Sequence, residues 1–81
     1  MSSLLYMTFV FSARLEIDYL NDKYDLNFPV SSEYETLAGF IIHHHESIPH
    51  LHENITISPY KFDIIKVSGN KIEQVRMTID K

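Results

Sequence analysis

The alternation of apolar and polar positions divides this chain into six segments. Tyr6 to Ser12, "YMTFVFS", is rich in aromatic and β-branched residues and predicts a strand. In "LEIDYLNDKYDL", Ile17, Leu20 and Tyr24 recur at helical spacing with acids early in the run, which predicts a two-turn helix from Ile17 to Tyr24. "NFPV" ends it, because proline disfavours a helical residue before it. Ser32 and Glu35 form an S-x-x-E capping box, and Tyr34, Leu37, Ala38, Ile41, Ile42 and His45 follow as one stripe. This predicts a second helix from Glu33 to Glu46. Three β-rich runs close the chain: "NITI", "YKFDIIKV" and "KIEQVRMTI". Ser68-Gly69-Asn70 reads as a hairpin turn between the last two, with Gly69 or Asn70 at positive φ. The order predicts an α+β fold: one small two-layer domain over residues 1–81, with two helices on one face of a mostly antiparallel sheet of about four strands.

A chain of 81 residues buries only about 60% of the surface its unfolded form exposes, which sets an expected stability of about 4–12 kcal/mol. It has no cysteine, which excludes a disulfide framework, a thiol nucleophile and a thiolate zinc site. The apolar run "LLYMTFVF" is far shorter than the roughly twenty residues of a spanning helix, and it lacks the basic flank of a signal peptide. No direct membrane insertion is expected. Asn54-Ile55-Thr56 reads as a chance sequon.

A net charge of −4 argues against nucleic acid as the main partner. The charge is uneven: residues 1–60 carry two bases and eight acids, residues 61–81 five bases and three acids. The basic tail is suited to an acidic partner or a phosphate. As surface residues along strands, its lysines also discourage edge-to-edge pairing.

All five histidines, His43, His44, His45, His50 and His52, fall within ten positions. Consecutive helical residues differ by about 100° in direction, so the first three do not converge on one ion. The stripe turns His45 toward the core, His44 to its edge and His43 to solvent. No helical pair has the i, i+4 spacing of a metal motif. A set of His45, His50 and His52, completed by Glu46 or Glu53, has ligand types suited to zinc but no evident second shell. No metal, cofactor or catalytic residue is assigned. Protonating all five imidazoles would carry the net charge from −4 to +1, and a buried His45 would lower stability as pH falls through that range.

Gly39 stands opposite the stripe, where glycine costs about 1 kcal/mol relative to alanine. That predicts a face covered by a partner or by an irregular segment of the same domain. Serines such as Ser12 and Ser58 have no base and orienting acid around them, and Glu16 with Asp18 reads as a helix N-terminal charge pattern. No phosphate-binding G-x-G-x-x-G occurs.

Leu26-Asn27-Phe28-Pro29, then Tyr34 to Gly39, Ile48-Pro49, Tyr60 with Phe62 and Ile64, and Lys71-Ile72-Glu73-Gln74-Val75-Arg76 resemble, in order and spacing, the transporter-associated domain of the CorC/HlyC family. The resemblance covers Ser12 to Ile79. Two glycines usual in that pattern are absent: one before Ile-Pro, replaced by histidine and acid, and one after it, replaced by His52. Histidine tolerates the left-handed conformation such a glycine supplies.

The resemblance implies a fold similar to part of a PCMH-type flavin-binding domain and no enzymatic activity. It also implies an accessory role at the C-terminus of a larger haemolysin-like membrane protein of magnesium and cobalt efflux. The expected partners are a CBS pair, a transmembrane domain and a second copy, at the cytoplasmic face of the inner membrane. The other reading is a sensor that binds a nucleotide or a metal ion.

Overall fold

The computed structural model describes residues 6–80; Met1–Leu5, where the apolar run begins, and Lys81 lie outside them. The elements run β1 (Tyr6–Ser12), α1 (Ile17–Tyr24), α2 (Leu37–His45), β2 (Asn54–Ile57), β3 (Tyr60–Ser68) and β4 (Lys71–Asp80). The four strands form one antiparallel sheet in the order β1-β4-β3-β2. The helices cover one face. None of the described helices is long and apolar enough to cross a membrane.

Strand alternation sorts the side chains by face. Phe11, Ile55, Tyr60, Phe62, Ile64, Ile72, Val75, Met77 and Ile79 are buried toward the helices. Thr8, Val10, Lys61, Arg76 and Thr56 are exposed on the other side. There Arg76 pairs with its cross-strand neighbour Asp63 at 3.8 Å. The last hairpin turns through Gly69 at φ 60, with Ser68 opposite Lys71. Of the two residues expected to take positive φ, Gly69 does so and Asn70 does not.

Helix α1 has the predicted bounds and buries Ile17 and Leu20. Asp25 ends it at φ 56, its N–H donating to Asn21 O. The Asn21 side chain then grips the backbone of Phe28 twice, accepting from its N–H and donating to its carbonyl, each at 2.9 Å. Phe28 thereby enters an aromatic group with Tyr60, Phe40 and Phe62, its ring centroid 4.5 Å from Tyr60 and 5.2 Å from Phe40.

Helix α2 starts at Leu37, four residues later than the capping box predicts. The N–H groups of Ile17 and Leu37 donate to Glu35 O and Leu15 O, at 2.8 and 2.9 Å, and Ala38 N–H donates to Ala13 O at 2.8 Å. This pairing holds residues 35–37 against 15–17, so Ser32 does not cap the helix. Thr36 does, its Oγ1 accepting from Gly39 N–H at 3.1 Å. Leu37, Phe40 and Ile41 are buried, with Ala38 and Ile42 half-buried. Phe40, outside the predicted stripe, is fully covered.

Gly39 is covered by the domain itself. A Cβ at that position would lie 3.0 Å from Tyr34 Cβ, so the irregular segment before α2 occupies the space that a side chain would need.

Candidate functional site

The five histidines separate into three environments. His43 and His44 are exposed on α2 against the aromatic rings of residue 34 and residue 40: the His43 ring lies 5.4 Å from Tyr34 and the His44 ring 4.6 Å from Phe40. His44 Nδ1 also donates to Phe40 O at 3.0 Å. His45 and His50 meet at Glu53. His45 Nε2 is 2.9 Å from Glu53 Oε2, and His50 Nδ1 is 3.6 Å from Glu53 Oε1. His52 serves the backbone.

The third environment arises from two sharp reversals. Glu46 closes α2 at φ 67, its N–H donating to Ile42 O at 2.7 Å. His52 adopts φ 68, which lets its N–H donate to Ile64 O at 2.7 Å while Glu53 O accepts from Ile64 N–H at 3.1 Å. The loop is thereby pinned to β3 beside the register shift that follows Ile64. These are the two regions where the resemblance drawn from the sequence expects a glycine. At both, a side-chain-bearing residue takes the left-handed conformation a glycine would favour.

Glu53 is the hub of the loop. Its Oε1 accepts from the His50 backbone N–H at 2.8 Å. That hydrogen bond, with the nearby His45 and His50 rings, holds its carboxyl below the usual glutamate range despite partial burial. The arrangement ties the last turn of α2 to the entrance of β2. The His45, His50 and His52 ligand set is not assembled, because two of its rings are turned onto the same carboxylate and the third lies in the turn. Among the described residues no three His, Asp or Glu side chains are grouped to hold a metal ion. His45 is 27% exposed at its side chain, so the expectation of a buried imidazole does not hold.

The residues that carry the family pattern are mostly internal braces. The Tyr34 hydroxyl donates to Pro29 O at 2.6 Å, and burial raises its pKa. Asn27 N–H donates to the Tyr60 hydroxyl at 3.3 Å. Pro49 is buried. Polar groups of this kind fix the loop between the helices and leave the outer surface to present charge.

That surface is segregated. One notch of about 230 Å³ is flanked by Glu16, Asp18 and Glu35. Another, of about 410 Å³, is flanked by Arg14 and Lys71. Periodicity does not bring the two cations of the second together, because they come from opposite ends of the chain.

Comparison with known proteins agrees with this architecture. The family model for the CorC_HlyC transporter associated domain matches residues 6–81. The polyamine export protein of Salmonella typhimurium is 33% identical over 51 residues, covering 63% of this chain and 11% of that protein. Hemolysin C of Brachyspira hyodysenteriae is 31% identical over 71 residues, covering 86% of this chain and 26% of that protein. The chain thus spans a small part of the curated relatives it matches. A solved CorC_HlyC domain from a Xylella fastidiosa Temecula1 hemolysin, in complex with Mg++ and Mn++, superposes with a TM-score of 0.74. That domain is 22% identical and the match covers 95% of this chain and 99% of it, a likeness of fold.

Proposed function

The chain belongs to the CorC_HlyC transporter associated domain family, and from that premise we propose that it is a non-catalytic accessory module of a larger membrane protein. On this reading it modulates ion efflux, of magnesium or cobalt, at the cytoplasmic face of the inner membrane. It acts by packing against neighbouring parts of the same protein, a CBS pair and a transmembrane domain.

The observation that carries the reading is one of proportion. The family match takes in nearly this whole chain, while the related stretches amount to 11% of an export protein and 26% of a hemolysin. A segment that small, with its own core, is suited to act on the rest of its protein through surface contacts. The internal geometry supports the same view, since the buried hydroxyls and the Asn21 amide are engaged in bracing the backbone.

The sensor reading draws support from the Mg++ and Mn++ complex of the Xylella domain, but that support belongs to a protein 22% identical. Among the described residues of this chain no three His, Asp or Glu side chains are grouped to hold a metal ion, so metal sensing is not advanced for it.

Calorimetry tests the accessory reading. The isolated chain is titrated into the longer protein from which residues 6–81 have been deleted. Saturable binding of one copy per protomer is expected. Absence of binding would contradict a role through domain contacts.

A further inference from the structure

The notch between the start of α2 and the β3–β4 turn combines an apolar floor with two cations. Its floor is Ala13 and Ile72, both buried, with Ala38 and Ile42 half-buried beside them. Ala13 N–H donates to Glu73 O at 2.9 Å, which extends the β1–β4 pairing one step beyond Ser12. That step carries Arg14 toward the first residue of β4, Lys71. Both side chains are exposed, and neither takes part in an ion pair among the described residues.

Among the described residues no carboxylate lines this notch, in a chain whose net charge is −4. The first sixty residues hold two bases, and the fold sets one of them here. Nor can the nearby helix end be the anion site. The N–H groups of Leu37, Ala38 and Gly39 are already given to Leu15 O, Ala13 O and Thr36 Oγ1. Charge recognition falls to the two side chains.

We propose that this notch docks an acidic peptide segment of a partner domain, with a carboxylate between Arg14 and Lys71 and an adjacent aliphatic side chain on the Ala38–Ile42–Ile72 floor. The apolar floor distinguishes such a segment from a free anion, which would leave it uncovered. A negative net charge opposes a second copy and a polyanion such as nucleic acid. The cavity, about 410 Å³, falls in the size range of functional clefts. This proposal rests on the accessory-module reading and names the chemistry of one contact it would use.

The test is a backbone amide NMR titration of the full chain with the peptide acetyl-Glu-Leu-Glu-amide. Acetyl-Gln-Leu-Gln-amide and sodium acetate are the comparison probes. Saturable shifts are expected at Arg14, Ala38, Ile42, Lys71 and Ile72. The glutamine peptide should bind about tenfold or more weakly, as charge-assisted hydrogen bonds give way to neutral ones. The double variant Arg14→Glu/Lys71→Glu should lose the response while its other amide positions stay unchanged. Equal binding of the glutamine peptide, equal shifts with acetate alone, or shifts on another face would overturn the proposal. So would self-association, seen by sedimentation, that the double variant abolishes. If the titration fails while the isolated chain still binds the deleted protein, only the notch is lost and the accessory reading stands.

Discussion

His45 Nε2 lies 2.9 Å from Glu53 Oε2, joining the last residue of α2 to the residue that precedes β2. Between them the chain reverses twice through left-handed residues, Glu46 and His52. The histidine-rich stretch is therefore a compact corner of the domain, and its chemistry is that of a carboxylate held by imidazoles and one backbone N–H.

This corner predicts an acid-sensitive contribution to stability. Glu53 has a folded-state pKa below its ordinary value, with the His50 N–H as the leading cause. A depressed carboxyl pKa contributes stability that is complete above the unfolded-state value, about 4.3, and is lost as pH falls through the lower folded value. Glu53→Gln should lower the melting temperature near neutral pH, and the gap to the parent chain should close below about pH 4. Thermal melts by circular dichroism across this range check it. Parallel curves for the two proteins would argue against the contact.

The two left-handed residues make a prediction of opposite sign. An L-residue in this conformation is disfavoured by about 1–2 kcal/mol relative to the right-handed region, whereas glycine is not. Glu46→Gly should stabilise the domain by about 0.5–1 kcal/mol, after allowance for the greater freedom of glycine when unfolded. His52→Gly should behave likewise, and the pair should be close to additive. Urea denaturation midpoints measure this.

At Gly39 helix propensity alone would predict that alanine stabilises by about 1 kcal/mol. The structure predicts the reverse. The new methyl group would meet Tyr34 Cβ at 3.0 Å, and Tyr34 is held at its far end by the hydrogen bond to Pro29 O. Gly39→Ala should destabilise by about 1–2 kcal/mol, as overpacking does. A more stable variant in the same denaturation experiment would show that the segment before α2 yields easily.

Phe40 and Val10 offer a contrast within one sheet-and-helix sandwich. Phe40 is fully covered between Tyr34, Phe28 and Phe62, while Val10 is 57% exposed on the open face of the sheet. Phe40→Ala should destabilise by about 3–5 kcal/mol, a large share of the stability available to a chain this short. Val10→Thr should stay within about 0.5 kcal/mol. Similar losses in both variants would mean that the outer face of the sheet is packed against something.

What could be read from the residues was whatever local pattern controls. The bounds of β1 and α1 and the turn at Gly69 follow from side-chain period and turn chemistry within a few residues. The left-handed φ at His52 also agrees with reading it as a glycine substitute. The start of α2 does not follow, because pairing with residues 13–17 competes with the Ser32 cap and wins. Phe40 escaped the stripe because α2 is buried on two sides, by the sheet and by the loop carrying Phe28 and Tyr34. A one-sided wheel describes only the first. Glu53 as a hub, and Arg14 beside Lys71, depend on which distant segments meet, and periodicity carries no record of that.

The proposed accessory role is tested most directly by ion efflux from vesicles containing the longer protein it would belong to, with and without residues 6–81. A change of several-fold in the magnesium or cobalt efflux rate, with membrane insertion retained, is the expected result. Identical rates from the intact and deleted proteins would contradict it.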